Sequence, residues 1–287
     1  MSYVGVDIGG TKVLVTTENV DGYTVSTKTP TSFQDLLRSL DLLISDIGVT
    51  SIEGIGVGIP GVVLPSGRCW APNAGAINDV ALTAELNQRW GAPVVVANDA
   101  KMALMAETTT FPTSQADPVI LVAVGTGIGG AIKVGDTVLD GYQGTAGSFG
   151  WLRMKTDTGW KPWEAVASGR ALDGAAQRLG LSCGRDLVMM ARQGHQASMK
   201  AVDGWIDNLA NGIASLISIM DPELVLLTGG VTAHGEWFIE RIREVVAEAA
   251  SPLTRSASLE LCRYGPESVA RGALVAIAQQ MTGGSLR

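Results

Sequence analysis

Two short stretches combine glycine with hydroxyl side chains: Asp7-Ile8-Gly9-Gly10-Thr11-Lys12 and Gly125-Thr126-Gly127-Ile128-Gly129-Gly130. Glycine lets the backbone come close to an oxyanion, and the freed N–H groups then act as donors. Neither stretch is a GxxxxGK[ST] loop, and neither opens a helix as a dinucleotide fingerprint would. One such loop alone is an ordinary hairpin turn. Two of them, each with a threonine and the first preceded by Asp7, fit a triphosphate gripped from both sides. Asp7 at a strand end would be placed for Mg²⁺ or its water shell. Thr228-Gly229-Gly230, at the end of a third apolar run, would let a nucleoside lie against the backbone. Asn98-Asp99 follows Val94-Val95-Val96-Ala97 and precedes an Ala- and Met-rich segment. That puts a carboxylate where a buried strand gives way to a helix, the place where α/β sites gather ligands. Asp99 is the candidate general base; Asn-Asp is equally an ordinary helix N-cap, and the two roles are compatible.

The elements that must position these groups follow from the hydrophobic pattern. Tyr3 to Val6, Val13 to Thr17 and a run near Tyr23 to Thr27 predict three strands with an antiparallel start, turning at Asp21-Gly22. Residues 32–47 predict a helix with Leu36, Leu37, Leu40, Leu43 and Ile44 on one face. Residues 55–58 predict a buried strand, 80–90 a helix and 94–97 a strand. The segment from Phe111 to Pro118 holds two prolines and no periodicity, and it is the candidate domain boundary. The pattern then restarts with strands at 119–124 and 131–134 around the second glycine loop. Helices are predicted near 162–179, 185–193, 197–220, 236–249 and 267–280, with strands at 224–227 and 259–262. A strand, a glycine turn and a second strand thus open both halves, an internal duplication of architecture. Two such lobes with facing loops would form a cleft for a small molecule. The expected division is a lobe of residues 1–115 and a larger one of 116–287. The C-terminal helix, about 266–282, has the option of packing back on the first.

Composition narrows the function class. The chain has 287 residues, 46% of them hydrophobic and only 17% charged, with 36 glycines: a compact, turn-rich globule. Its net charge of −7 argues against a nucleic-acid partner. Cys69, Cys183 and Cys262 make neither a disulfide framework nor a metal pair, which suits a reducing compartment. No stretch approaches 18 apolar residues and the start lacks a leader pattern, so a cytoplasmic protein with no membrane partner is expected.

Together with Gly58-Ile59-Pro60-Gly61, Ala71-Pro72-Asn73, Asn98-Asp99-Ala100 and Leu227-Thr228-Gly229-Gly230-Val231, the two glycine loops resemble the ROK family, sugar kinases of the glucokinase type and related sugar-responsive repressors. The order and spacing match from residue 3 to about 275. The resemblance implies an α/β, actin-like ATPase fold: two RNase-H-like lobes with a central cleft, closing on ATP and sugar. It implies that Gly9, Gly10, Thr11 and Lys12 bind phosphates with Gly125, Thr126, Gly127, Gly129 and Gly130, while Thr228, Gly229 and Gly230 flank adenosine. It places Gly61, Asn98 and Asp99 at the sugar, with Asp99 as base, and matches Glu164 to the family's second sugar-binding glutamate. Family members are commonly dimers or tetramers, and a homodimer is expected.

The chain also departs from the family. Where most ROK kinases carry Glu-x-Gly-His and then a cysteine-rich zinc loop, it has Ala146-Gly147-Ser148-Phe149-Gly150-Trp151 and no cysteine before Glu164. Ser148 stands for the glutamate and Trp151 for the histidine, so no zinc site is expected. Neither His195 nor His234 lies in a motif. These replacements fall on groups that hold sugar hydroxyls far from the reacting one, and losing such partners should redirect preference. The expectation is an ATP- and Mg²⁺-dependent kinase acting on a modified hexose, an aminosugar or a cyclitol. The alternatives are an ordinary glucokinase, a non-catalytic sugar sensor, another actin-like ATPase and a polyphosphate-dependent kinase. A repressor is disfavoured, since only six residues precede Asp7 and no DNA-binding module stands there. A dead kinase would be expected to lose Asp99 or a phosphate loop.

Overall fold

The computed structural model describes residues 2–18, 23–109, 113–230, 235–254 and 256–283. The turn at Asp21-Gly22, the pair Phe111-Pro112, Val231 and His234 lie outside the described residues.

The first sheet is built from β1 (Ser2–Ile8), β2 (Lys12–Thr17), β3 (Thr24–Lys28), β4 (Ile52–Ile59) and, after the two-residue pairs β5 (Val62–Val63) and β6 (Cys69–Trp70), β7 (Val94–Asn98). Its order is β3-β2-β1-β4-β7. The first two pairings are antiparallel, whereas β1 with β4 and β4 with β7 are parallel. Alternation along β1 sends Val4, Val6 and Ile8 to one face. There they meet Leu36, Leu40 and Ile44 of helix α1 (Phe33–Asp46) and Leu82 and Leu86 of α2 (Leu82–Trp90). Ser32 starts α1 by accepting a hydrogen bond from Asp35 N.

The other face of the sheet carries α3 (Asp99–Glu107) and the C-terminal α9 (Ser268–Met281), whose Ala273, Ala276 and Ile277 pack with Val95, Met102 and Met105. Gly54, Gly56 and Gly58 alternate along β4 and all face this layer. A Cβ on Gly56 would stand 1.8 Å from the carbonyl oxygen of Ala273, and one on Gly272 only 1.6 Å from that of Met102. The glycines therefore let α9 lie directly on the backbone of β4 and α3.

The second sheet contains β8 (Val119–Val124), β9 (Ile128–Val134), β10 (Thr137–Val138), β13 (Leu224–Thr228) and β14 (Ser258–Leu261), in the order β10-β9-β8-β13-β14. Counted from its own first strand, each sheet runs third, second, first, fourth, fifth, so the duplication extends to topology. Between β10 and β13 lie the hairpin β11 (Arg153–Thr156) and β12 (Gly159–Pro162), then α4 (Glu164–Ala167), α5 (Gly169–Arg178), α6 (Gly184–Arg192) and α7 (Gln196–Met220). Helix α8 (Gly235–Ala249) connects β13 to β14.

The single helix expected over 162–179 is broken. Ser168 is extended (φ −86°, ψ 174°) and its hydroxyl accepts from Ala171 N to start α5 afresh. His195 is exposed and precedes α7, and its Nδ1 lies 2.8 Å from the hydroxyl of buried Ser198.

The chain divides into two compact units. The first comprises Met1–Gln115, Ile132–Ala146 and Arg263–Arg287, and the second Ala116–Ala131 and Gly147–Cys262. Residues 132–146 thus join the first unit, beside the C-terminal helix for which the sequence had already allowed that place. Buried charges hold both returns to α3. Lys101 Nζ donates to Asp140 Oδ1 (2.6 Å) and to the carbonyl oxygen of Gly144 (3.0 Å). Glu107 accepts from Arg263 N (2.9 Å), Tyr264 N (3.0 Å) and Ser268 Oγ (2.9 Å) just ahead of α9.

Candidate active site

In the first unit the turn between β1 and β2 is tied tightly. Gly9 N donates to Lys12 O (2.9 Å), Thr29 Oγ1 donates to Gly9 O (2.7 Å) and Thr29 N donates to Thr11 O (3.0 Å). The turn at residues 71–74 approaches so closely that a Cβ on Gly10 would sit 2.8 Å from Asn73 O. Gly10, Thr11 and Lys12 remain exposed. This is a fixed, outward-facing loop of the kind that lends its N–H groups to an anion.

Asp7 closes β1 beneath that loop, and Asp99 opens α3 at the end of β7. Burial pushes the Asp7 carboxyl up to about 7, the charge of Asp99 adds to the rise, and Lys12 opposes it. Burial likewise raises Asp99, to about 6, against hydrogen bonds from Ala100 N and the Asn98 side chain. Asn98 is the N-cap of α3: its Oδ1 accepts from Ala100 N (3.0 Å), while Nδ2 donates to Gly61 O (3.2 Å). Asn98 thereby joins Gly61 to the start of α3, and each polar atom keeps capacity for a second partner. A carboxylate with a raised affinity for protons at a helix start is suited to taking a proton from an alcohol near neutral pH.

In the second unit, the turn between β8 and β9 is Gly125 to Gly127, shorter than the sequence suggested, because Ile128, Gly129 and Gly130 already belong to β9. Thr228 pairs with Ala123, which sets Gly229 and Gly230 beside the start of that turn. Gly229 has φ +107°, and a Cβ there would stand 2.3 Å from Val124 O. Gly125, Thr126 and Gly230 line a cavity of about 360 Å³ together with Gly169, Arg170 and Asp173 of α5. Those last three escaped the sequence reading. Ser168-Gly169-Arg170, a capped helix start, was the available signal for the first two, and nothing local marked Asp173.

The segment 147–151 is laid on β9. A Cβ on Gly147 would meet Gly130 O at 2.1 Å, and the Phe149 ring covers Gly130. The short 3₁₀ turn Phe149–Trp151 then leaves Ser148 exposed and the Trp151 side chain 65% exposed. Glu164 Oε2 lies 3.3 Å from Ile128 N, against the same turn.

A family model described as the ROK family matches residues 3–280. The chain belongs to the ROK family. A glucokinase of Streptomyces coelicolor is 30% identical to this ROK protein over 272 residues, covering 84% of it and 86% of the relative. An N-acetyl-D-glucosamine kinase of Pectobacterium atrosepticum is 26% identical, covering 94% and 97%. Among solved structures, a ROK glucokinase of Streptomyces griseus in complex with glucose and AMPPNP superposes with a TM-score of 0.82 at 27% identity, covering 97% of this chain and all of that one. The fold of this ROK protein is the actin-like ATPase fold, and the protein is a sugar kinase, a phosphotransferase with an alcohol group as acceptor. No helix among the described residues is long and apolar enough to cross a membrane.

Proposed function

We propose that this ROK kinase uses ATP to phosphorylate the primary hydroxyl of a hexose-like substrate, with a modified sugar, an aminosugar or a cyclitol preferred to plain glucose. The carrying observation is Asp99. A carboxylate buried enough to hold its proton up to about 6 stands at the start of α3, beside an Asn98 already fixed by Gly61. Asp99 accepts the hydroxyl proton as the alcohol oxygen bonds to the γ-phosphorus and the bond to the β-phosphate oxygen breaks. Asn98 and Gly61 orient the substrate. Because phosphoryl transfer has a loose transition state, positioning and charge neutralisation contribute at least as much as the base.

Gly9, Gly10, Thr11 and Lys12 in the first unit, and Gly125, Thr126, Gly127 and Gly129 in the second, serve the phosphates. Thr228, Gly229 and Gly230 flank the nucleoside in the α5 cavity. Asp7 fits Mg²⁺: it offers a hard oxygen ligand whose charge is under-compensated by burial beside Asp99. Among the described residues no three His, Cys, Asp or Glu gather to hold a metal alone. Asp7 would hold the ion, through its water shell, and the ion would neutralise charge on the transferred group.

Ser148, Trp151 and Glu164 define the far side of the acceptor. Ser148 is a small hydroxyl and Trp151 presents an exposed indole face suited to a ring or an appended group. The N-acetyl-D-glucosamine kinase relative favours an aminosugar, and the glucokinase relative favours glucose as the second reading. The test is ADP release with ATP and Mg²⁺ across glucose, mannose, glucosamine, N-acetylglucosamine and cyclitols that carry a hydroxymethyl group. Turnover with an amino- or modified ring above glucose is expected, a preference for glucose selects the second reading, and silence across the panel overturns both.

A further inference from the structure

The turn that leads into α5 grips the loop between β8 and β9 at both ends. At the start of the loop, Gly169 N donates to Gly125 O (2.7 Å). At the far end, Ile128 N faces Glu164 Oε2 at 3.3 Å. That same oxygen lies 2.6 Å from where a Cβ on Gly127 would stand and 3.0 Å from one on Gly150. The carboxylate is thus wedged between two stretches of backbone, neither of which has room for a side chain. The grip has a stiff backing in α7. Trp163 is fully buried, its ring fills the space over Gly212, and its Nε1 donates to Asn208 O (2.9 Å). Trp205 Nε1 donates to Ser168 O (3.0 Å).

We propose that Glu164 is a positioning residue for the nucleotide: its carboxylate braces the loop Gly125–Ile128 in the shape that receives phosphate, in addition to any bond it makes to the acceptor. A carboxylate has about four acceptor positions, so it can hold Ile128 N–H and accept from a substrate hydroxyl together. Sugar contact and phosphate-loop geometry then meet in one side chain. The inference rests on the kinase reading in assigning that loop to phosphate.

The sign of the effect separates bracing from simple charge. A carboxylate near a phosphate loop repels the anion, so if charge were its only influence, removing it would tighten nucleotide binding. Bracing requires the reverse. Binding of AMPPNP with Mg²⁺, without sugar, is measured by calorimetry on wild type, Glu164→Ala and Glu164→Gln. The alanine variant should bind about tenfold more weakly, while glutamine, which keeps an oxygen for Ile128 N–H, should stay within about threefold of wild type. Exchange of the Ile128 amide proton, read by NMR without nucleotide, should quicken about tenfold in the alanine variant and be rescued by glutamine. Unchanged or tighter binding in Glu164→Ala overturns the proposal, as does unchanged amide exchange. Wild type without AMPPNP heat would sink the kinase reading, and amide exchange would still decide the brace. If Glu164→Ala does not fold, Gly127→Ala takes its place, since its Cβ displaces the carboxylate. It should speed Ile128 exchange, and unaltered exchange refutes the idea.

Discussion

Asp7 ionises in the field of Asp99: burial first and then that neighbouring charge carry its carboxyl up to about 7, against the pull of Lys12. Asp99 is itself raised, to about 6, chiefly by burial. Replacing Asp99 by Asn should lower the Asp7 value by removing one of its two causes. Carboxyl ¹³C titration of the variant reads this directly, and an unmoved Asp7 would mean the two groups do not communicate.

Raised carboxyls also set a sign for stability. From the ordinary value of 3.8 up to about 7, the folded chain keeps a proton on Asp7 that the unfolded chain has released. This contribution is fully present below pH 3.8 and is lost as pH rises through 7. Asp7→Asn should flatten the fall in Tm across this window and raise Tm at pH 8 by roughly a few degrees. A variant whose Tm tracks wild type at every pH would contradict it.

If Asp99 takes the acceptor proton, kcat/KM should fall as pH drops below about 6. Asp99→Asn should cost about 10²–10⁴-fold in turnover while AMPPNP binding stays near wild type. Stopped-time ADP assays beside calorimetry make the comparison. Unaffected turnover would remove Asp99 from the chemistry.

Ser148 and Trp151 carry the expected change of substrate. The double substitution Ser148→Glu with Trp151→His should shift relative kcat/KM towards glucose by about tenfold or more, since a restored polar partner discriminates strongly. Relative rates that do not move would place the selectivity elsewhere.

The two buried charges of α3 predict unequal consequences. Asp140→Ala leaves the Lys101 ammonium, only 5% exposed, without its carboxylate and should destabilise by about 1–3 kcal/mol. Lys101→Met removes the charge and keeps the volume, so it should be milder. Glu107→Ala strips three donors of their acceptor and should be the most severe of the three. Urea midpoints give the ranking, and Lys101→Met as the worst would refute it.

What the sequence made legible were features decided locally. The turn at Gly9–Lys12, the Asn98 cap and the helix from Gln196 to Met220 each follow from a few adjacent residue types or one clear period. The break at Ser168 was hidden, since its hydrogen bonds come from Ala171 N and Trp205, and the latter depends on tertiary packing. The hairpin at 153–162 was hidden because its residues lack an apolar alternation. Arg170 and Asp173 look like any exposed helix positions until Gly230 is brought beside them. The alternation of Gly54, Gly56 and Gly58 was visible as letters, yet its meaning needs α9, more than two hundred positions away.

That distant helix has a consequence for biosynthesis. The amino-terminal sheet cannot finish sealing one of its faces until residues 268–281 have left the ribosome, since α9 is the helix that lies on the bare backbone of β4 at Gly54, Gly56 and Gly58. During translation this face is covered by α3 alone, while the helices after β9 have already emerged. The nascent protein should mature from the inside of its sequence outwards, and a nonsense mutation before Ser268 should yield a soluble second unit joined to an aggregation-prone first.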